Sequence, residues 1–195
     1  EWRASFEAKL RRQSRIARLG HWRSVYTGAP RFSDGNRGFY LRDGRLQLAW
    51  MIAAIGQAEH RVDLEMYIYE PDTSGEALLA ALVAAAERGV VVRVLFDSVG
   101  CGNAGPAFFS PVTEAGGQVV EFNPVAPWRL RMSRIGKMQH WTPNARDHRK
   151  LLTCDAPLAW ATEAYEVGTD PHPPGGDAKS KSAIAITGGR NIGDH

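Results

Sequence analysis

The chain has 195 residues, 44% of them apolar, and a formal net charge of +3 at pH 7, which suits one globular domain or one and a half with a filled core. Its longest apolar run, Ala77 to Ala86, is ten residues, against about 20 for a membrane-spanning helix; no segment is long and apolar enough to cross a bilayer as a helix. Cys101 and Cys154 make neither a disulfide framework nor a zinc ligand set, and they read as two ordinary thiols of a reducing compartment.

The positive charge is concentrated. Residues 1–23 carry +5, residues 128–150 carry +6, and the remainder sums to −8. Both basic segments are candidates for contact with an anionic partner. The chain begins at Glu1 rather than Met, with no signal peptide, so a fragment or a processed product is expected.

In chain order, residues 2–19 read as a basic helix with Trp2, Phe6, Leu10, Ile16 and Leu19 on its apolar side; it either packs on a domain or lies on anionic lipid. After a turn-rich stretch from Gly35 to Gly44, residues 45–57 read as a second helix. Residues 62–69 (VDLEMYIY) read as a strand, being rich in β-branched and aromatic residues. Ser74 is placed to cap a helix running to about Arg88, which Gly89 ends. Residues 90–97 are a second strand whose nearly continuous apolar run predicts burial on both faces, as in a parallel sheet. Residues 106–115 predict a short helix, 119–122 a third strand, 151–154 a fourth and 183–187 a fifth. The alternation predicts an α/β fold. Between the last two strands, residues 168–182 (GTDPHPPGGDAKSKS) are rich in Pro, Gly and polar side chains and read as a mobile loop.

The chemistry sits in RDHRKLLTCD at 146–155, which holds His148, Lys150 and Asp155 in the spacing H-x-K-x4-D. In an extended segment, residues two apart share a face, so His148 and Lys150 present an imidazole and an ammonium side by side, with Arg149 and Leu151 turned away. A histidine that attacks phosphorus must be neutral, and the negative charge that develops on the equatorial oxygens is met by a fixed ammonium. Asp155 is an odd number of residues from His148 and shares its face only where the chain turns; brought close, it would orient an imidazole. Downstream, Gly188 and Gly189 follow an apolar strand and let the backbone approach a ligand, and Asn191 could hydrogen-bond a phosphate oxygen.

Together these residues resemble the phospholipase D superfamily, whose signature is H-x-K-x4-D followed by a glycine pair and Asn, and in particular the N-terminal half of bacterial cardiolipin synthases. The supporting segments are LEMYIY at 64–69, AAAERGVVVRVLFD at 84–97, AGGQVVEFNP at 115–124, RDHRKLL at 146–152 and GGRNIGD at 188–194. The resemblance implies a mixed, largely parallel sheet flanked by helices, and neither metal nor cofactor. It implies His148 as the phosphohistidine-forming nucleophile or its acid partner, Lys150 and Asn191 as phosphate ligands beside Gly188 and Gly189, and Asp155 as support for a histidine.

Two departures stand out. Members of this type pair two such motifs, whereas this chain holds one and stops at His195. The family also places its glycine pair a few residues after the Asp, whereas 32 residues separate Asp155 from Gly188.

The expected organisation is a basic N-terminal helix and linker at 1–34 and a phospholipase D-like domain at 35–195, interrupted by an insertion at about 156–182. The expected function is the phosphatidyl transfer that joins two phosphatidylglycerols into cardiolipin and releases glycerol, here as a single-motif half. Its partners would be anionic phospholipid, the cytoplasmic membrane surface of a bacterium, and a second motif from a missing C-terminal half or a second copy. Trp128 to Met132 (WRLRM) suits such a surface or a solvated loop. Two other readings share these residues: a homodimeric nuclease of the same superfamily, with nucleic acid as the less expected partner, and a non-catalytic membrane-binding remnant.

Overall fold

The structure, a computed structural model, describes residues 38–125, 145–156 and 183–194. The chain divides into two units, Glu1–Tyr40 and Leu41–His195, and every helix and strand among the described residues belongs to the second. The basic N-terminal helix, the Trp128–Met132 segment and the Pro/Gly-rich stretch at 168–182 lie outside the described residues.

Aspartates start the two long helices. The Asp43 side chain accepts from the backbone N–H of Arg45 and opens α1 (Gly44–Gln57). Asp72 accepts from Gly75 N and opens α2 (Thr73–Glu87). Each satisfies donors that a helix start leaves without a partner. The expected cap on α2 was Ser74; Asp72 takes the position, and Ser74 instead turns its hydroxyl to Asp194. Gly89 ends α2 at φ +87°, a conformation that favours glycine.

The strands are β1 (Arg61–Met66), β2 (Val91–Asp97), β3 (Gln118–Phe122), β4 (Lys150–Cys154) and β5 (Ile184–Thr187), in the order β3-β2-β1-β4-β5. β1 and β2, and β2 and β3, run parallel; β4 runs antiparallel to both β1 and β5. The sheet is thus mixed, with parallel and antiparallel pairings in equal number.

Register places the core. Val62, Leu64 and Met66 lie beside Val92, Val94 and Phe96 on one side, and beside Cys154, Leu152 and Lys150 on the other. All nine are buried under the helices. The opposite face is more open. Val91 is 53% exposed and β2 alternates exposed and buried, so the expectation of burial on both faces does not hold for this strand. Its apolar run reflects β propensity as well as burial.

The expected helix at 106–115 is two short pieces, α3 (Gly105–Phe108) and α4 (Ser110–Glu114). Phe109 between them turns inward, stacks on Phe96 at 4.7 Å and meets Tyr69 edge-on at 5.0 Å. Pro111, with no N–H to donate, sits in the first turn of the second piece.

After β5 the chain returns to the end of β1. Ile192 N donates to Ile68 O and Glu70 N to Ile192 O, extending the sheet beyond Met66 where β4 has not yet begun. The long excursion after Asp155 therefore leaves the β4–β5 pairing in register, with Cys154 opposite Ile184 and Leu151 opposite Thr187.

Candidate active site

His148 and Lys150 sit where β4 begins, beside the end of β1. Lys150 is the first residue of β4, and its partner across the register is Met66. That pairing turns the lysine onto the helix-covered face, where it is only 5% exposed. The ammonium returns to the strand end: Nζ donates to His148 O at 3.0 Å and lies 3.3 Å from His148 Nδ1 and 3.5 Å from Nε2. It also stands 5.0 Å from the centre of the Tyr67 ring, a cation–π contact. Burial lowers the lysine pKa from its ordinary value, and attraction to Asp147 works against that shift.

The imidazole of His148 is exposed to solvent and rests against Tyr67, with ring centres 4.3 Å apart. Imidazole and ammonium are neighbours, as their two-residue spacing predicts. Arg149 points the other way and pairs with Glu65 at 2.7 Å and Asp147 at 2.9 Å.

Asp155 is elsewhere. Its carboxylate accepts from His60 N at 2.9 Å and Arg61 N at 2.8 Å, at the start of β1. Five strand residues separate it from the motif end, about 16 Å at the strand rise of roughly 3.3 Å per residue. Burial alone would raise this carboxyl, but the backbone N–H groups of Arg61 and His60 outweigh it and hold the pKa below the ordinary value. Its contacts among the described residues cap a strand, and none of them is with His148.

Gly188 and Gly189 follow β5, and a side chain at either would meet open space; packing does not demand glycine there. Asn191 stands at the same end of the sheet as Tyr67 and His148, next to Ile192. Its Oδ1 is buried and finds no hydrogen-bond partner among the described residues. Asn191 lines a cleft of about 500 Å³ with Arg45, Gln47, Ser74 and Arg190, between the starts of α1 and α2. His148 and Lys150 are not among that cleft's walls. A Cβ at Gly44 would overlap the Arg190 guanidinium, so this glycine lets Arg190 lie against the start of α1.

Sequence reasoning passed over a set of carboxylates. Asp97, wholly buried at the end of β2, accepts from Val99 N at 2.8 Å, Asp147 N at 2.9 Å and Arg146 Nη1 at 3.3 Å. Asp147 accepts from Arg149 N at 3.2 Å. Burial, and then the Asp147 carboxylate beside it, push Glu65 up to about 7 against the pull of Arg149. Burial would also raise Asp147, yet the bonds from Arg149 and Glu65 prevail and hold it below its ordinary value. The two carboxyls thus shift in opposite directions. The sequence signal of these carboxylates was faint: Glu65 and Asp63 alternate with apolar residues in β1, and Asp97 closes the mostly apolar β2.

Among the described residues, no group of three or more His, Cys, Asp or Glu is placed to hold a metal ion. Cys101 and Cys154 are free and buried, and burial pushes their thiols up to about 12 and about 11, which makes them poor nucleophiles.

The sequence profile of the family described as the PLD-like domain of cardiolipin synthase matches residues 51–194. The chain belongs to that family. It is 33% identical over 131 residues to cardiolipin synthase 1 of Bacillus cereus, covering 67% of this chain and 24% of the relative. It is 35% identical over 126 residues to the major cardiolipin synthase ClsA of Bacillus subtilis, covering 64% and 24%. Cardiolipin synthase B of Escherichia coli K12 is 31% identical over 155 residues, covering 80% and 36%. The chain thus spans about a quarter to a third of the length of these relatives. Among solved structures, the phospholipase D family member Nuc from Salmonella typhimurium aligns over 54% of this chain and 55% of its own, at 22% identity and a TM-score of 0.35, too slight a match to add to the assignment.

Proposed function

We propose that this chain supplies one half of the active site of a phosphatidyltransferase that converts two phosphatidylglycerols into cardiolipin and glycerol. The observation that carries this reading is the Lys150 ammonium 3.3 Å from the His148 imidazole at the start of β4, in a chain of the cardiolipin synthase family. A His148 ring nitrogen attacks phosphorus as the bond from phosphorus to the glycerol oxygen breaks. The departing alkoxide takes a proton from the histidine of a second motif. That histidine then takes the proton of the incoming hydroxyl of the second lipid, which displaces His148 and frees cardiolipin. Lys150 meets the charge that develops on the phosphoryl oxygens. Asn191 supplies an amide to the phosphate, with Gly188 and Gly189 leaving the backbone room nearby. The second motif comes from a C-terminal half or a second copy, and the reaction takes place at an anionic membrane surface. Among the described residues no helix is long and apolar enough to cross a membrane, so attachment through basic side chains fits this reading.

The test is reconstitution. Co-expressed with a C-terminal half that carries its own H-x-K-x4-D motif, the chain is expected to make cardiolipin from phosphatidylglycerol vesicles. His148→Asn should abolish turnover and leave vesicle binding intact, whereas Lys150→Ala should weaken both. Turnover by His148→Asn equal to wild type overturns the proposal, and tighter binding to duplex DNA than to anionic vesicles at the same salt favours a nuclease instead.

A further inference from the structure

His148 is exposed and lies just before the first residues of β4. The β1–β4 register begins only at Lys150, so ladder pairing does not hold this histidine. Side chains hold the backbone around it. Ahead of it, Asp147 N donates to the buried Asp97 carboxylate at 2.9 Å. Behind it, Arg149 N donates to the Asp147 carboxylate at 3.2 Å. Its own carbonyl accepts from Lys150 Nζ at 3.0 Å. The bond from Arg149 N to Asp147 closes a small ring around His148, in which the side chain of one residue takes the N–H two positions on. Asp147 is 7% exposed, and the Arg149 guanidinium grips the same carboxylate at 2.9 and 3.3 Å. The turn is therefore fixed from beneath while the imidazole stays open to substrate.

We propose that Asp147, seated on Asp97, is the positioning residue for His148: its carboxylate closes the turn that sets the imidazole beside Lys150 and Tyr67. This rests on the reading of His148 as the residue that meets phosphorus. The carboxylate that serves the motif in this chain is then the one before His148, and Asp155 serves β1. The closing bond needs an oxygen acceptor on the residue-147 side chain. Asparagine offers one without the charge, and alanine offers none.

The Tyr67 ring, 4.3 Å from the imidazole, provides a readout independent of turnover, because it displaces the His148 ring-proton resonances in a nuclear magnetic resonance spectrum. The experiment records those resonances in the full chain, assigned by their disappearance in His148→Asn. Asp147→Ala is expected to move them most of the way to free-histidine positions. Asp147→Asn should keep them near wild type, and so should Arg149→Gln, which removes the guanidinium but not the backbone N–H. Unchanged resonances in a folded Asp147→Ala overturn the proposal. So does loss of the wild-type pattern in either Asp147→Asn or Arg149→Gln, and these two decide the matter should the alanine variant not fold. In the reconstituted enzyme, Asp147→Ala should lower kcat with little change in KM, and Asp147→Asn should restore kcat. Because the resonances need no turnover, an inactive reconstitution with the expected spectra would count against the proposed reaction and not against the turn.

Discussion

Glu65 reaches the motif from a neighbouring strand through Arg149 and Asp147, and it makes stability depend on pH near neutrality. Its carboxyl, about 7 in the fold against an ordinary 4.5, keeps a proton that the unfolded chain has already released. The resulting stabilisation is complete below 4.5 and is lost as pH rises through 7. Asp147, depressed below 3.8, contributes in the opposite sense: its share is present above 3.8 and is lost only as pH falls through its lower folded value. Of these two carboxyls, only Glu65 acts in the neutral window. Glu65→Gln keeps the shape of the protonated acid and cannot ionise, so its urea midpoint should fall less than that of wild type between about pH 6 and pH 8. An equal fall would place the slope elsewhere.

At this scale the histidine–lysine pair was legible in the sequence, because a spacing of two fixes a common face without knowledge of the fold. Glu65 and Asp97 were not. They reach the motif only once the order β2-β1-β4 sets their strands side by side, and one chain without aligned relatives carries no mark of that order.

Among the elements, Asp155 ties the end of β4 to the start of β1. Asp155→Ala removes a charged acceptor from His60 N and Arg61 N and should cost about 1–3 kcal/mol in urea unfolding, while the His148 ring resonances stay in place. The native contribution of this carboxylate exists above 3.8 and is lost as pH falls through its lowered folded pKa, so the gap between variant and wild type should close in acid. A second element-level prediction concerns Gly100, where a Cβ would overlap the Tyr67 carbonyl oxygen. Gly100→Ala should destabilise the protein by about 1–3 kcal/mol and also disturb the Tyr67–His148 contact, seen as a shift of the same resonances. Most elements were readable from periodicity, since strands and helices alternate with clear punctuation. The failures were local contests: two capping residues within three positions of each other, and a short helix broken where Phe109 gains more by entering the core than by continuing the turn.

For the molecule as a whole, one histidine cannot be nucleophile and leaving-group acid at the same moment. The isolated chain should therefore show little or no turnover unless two copies meet at the motif face; strong turnover by a proven monomer would sink the two-motif reading. Its binding to vesicles should rise with phosphatidylglycerol content and fall with salt. Each basic residue near the surface contributes about 1 kcal/mol, screened over roughly 10 Å at 0.1 M salt. The class of fold was legible at this scale from the alternation of strands and helices. The equal mix of strand directions was not, because the antiparallel pairings join β4 to strands distant in sequence or across a long excursion.

The opening of that excursion has its own consequence. Cys154 and Ile184 face each other beside Val62, at the end of the sheet where β1 begins, while His148 stands at the opposite end. Ala156 and Ala183, where the chain leaves and rejoins the described sheet, both stand at the far rim, with all of β4 between them and the imidazole. Genetically, these attachment points make a seam at which gain or loss of sequence should leave the His148 ring resonances in place. For a protein engineer it is the natural place to graft a fluorescent reporter, or to cut the chain into two complementing pieces.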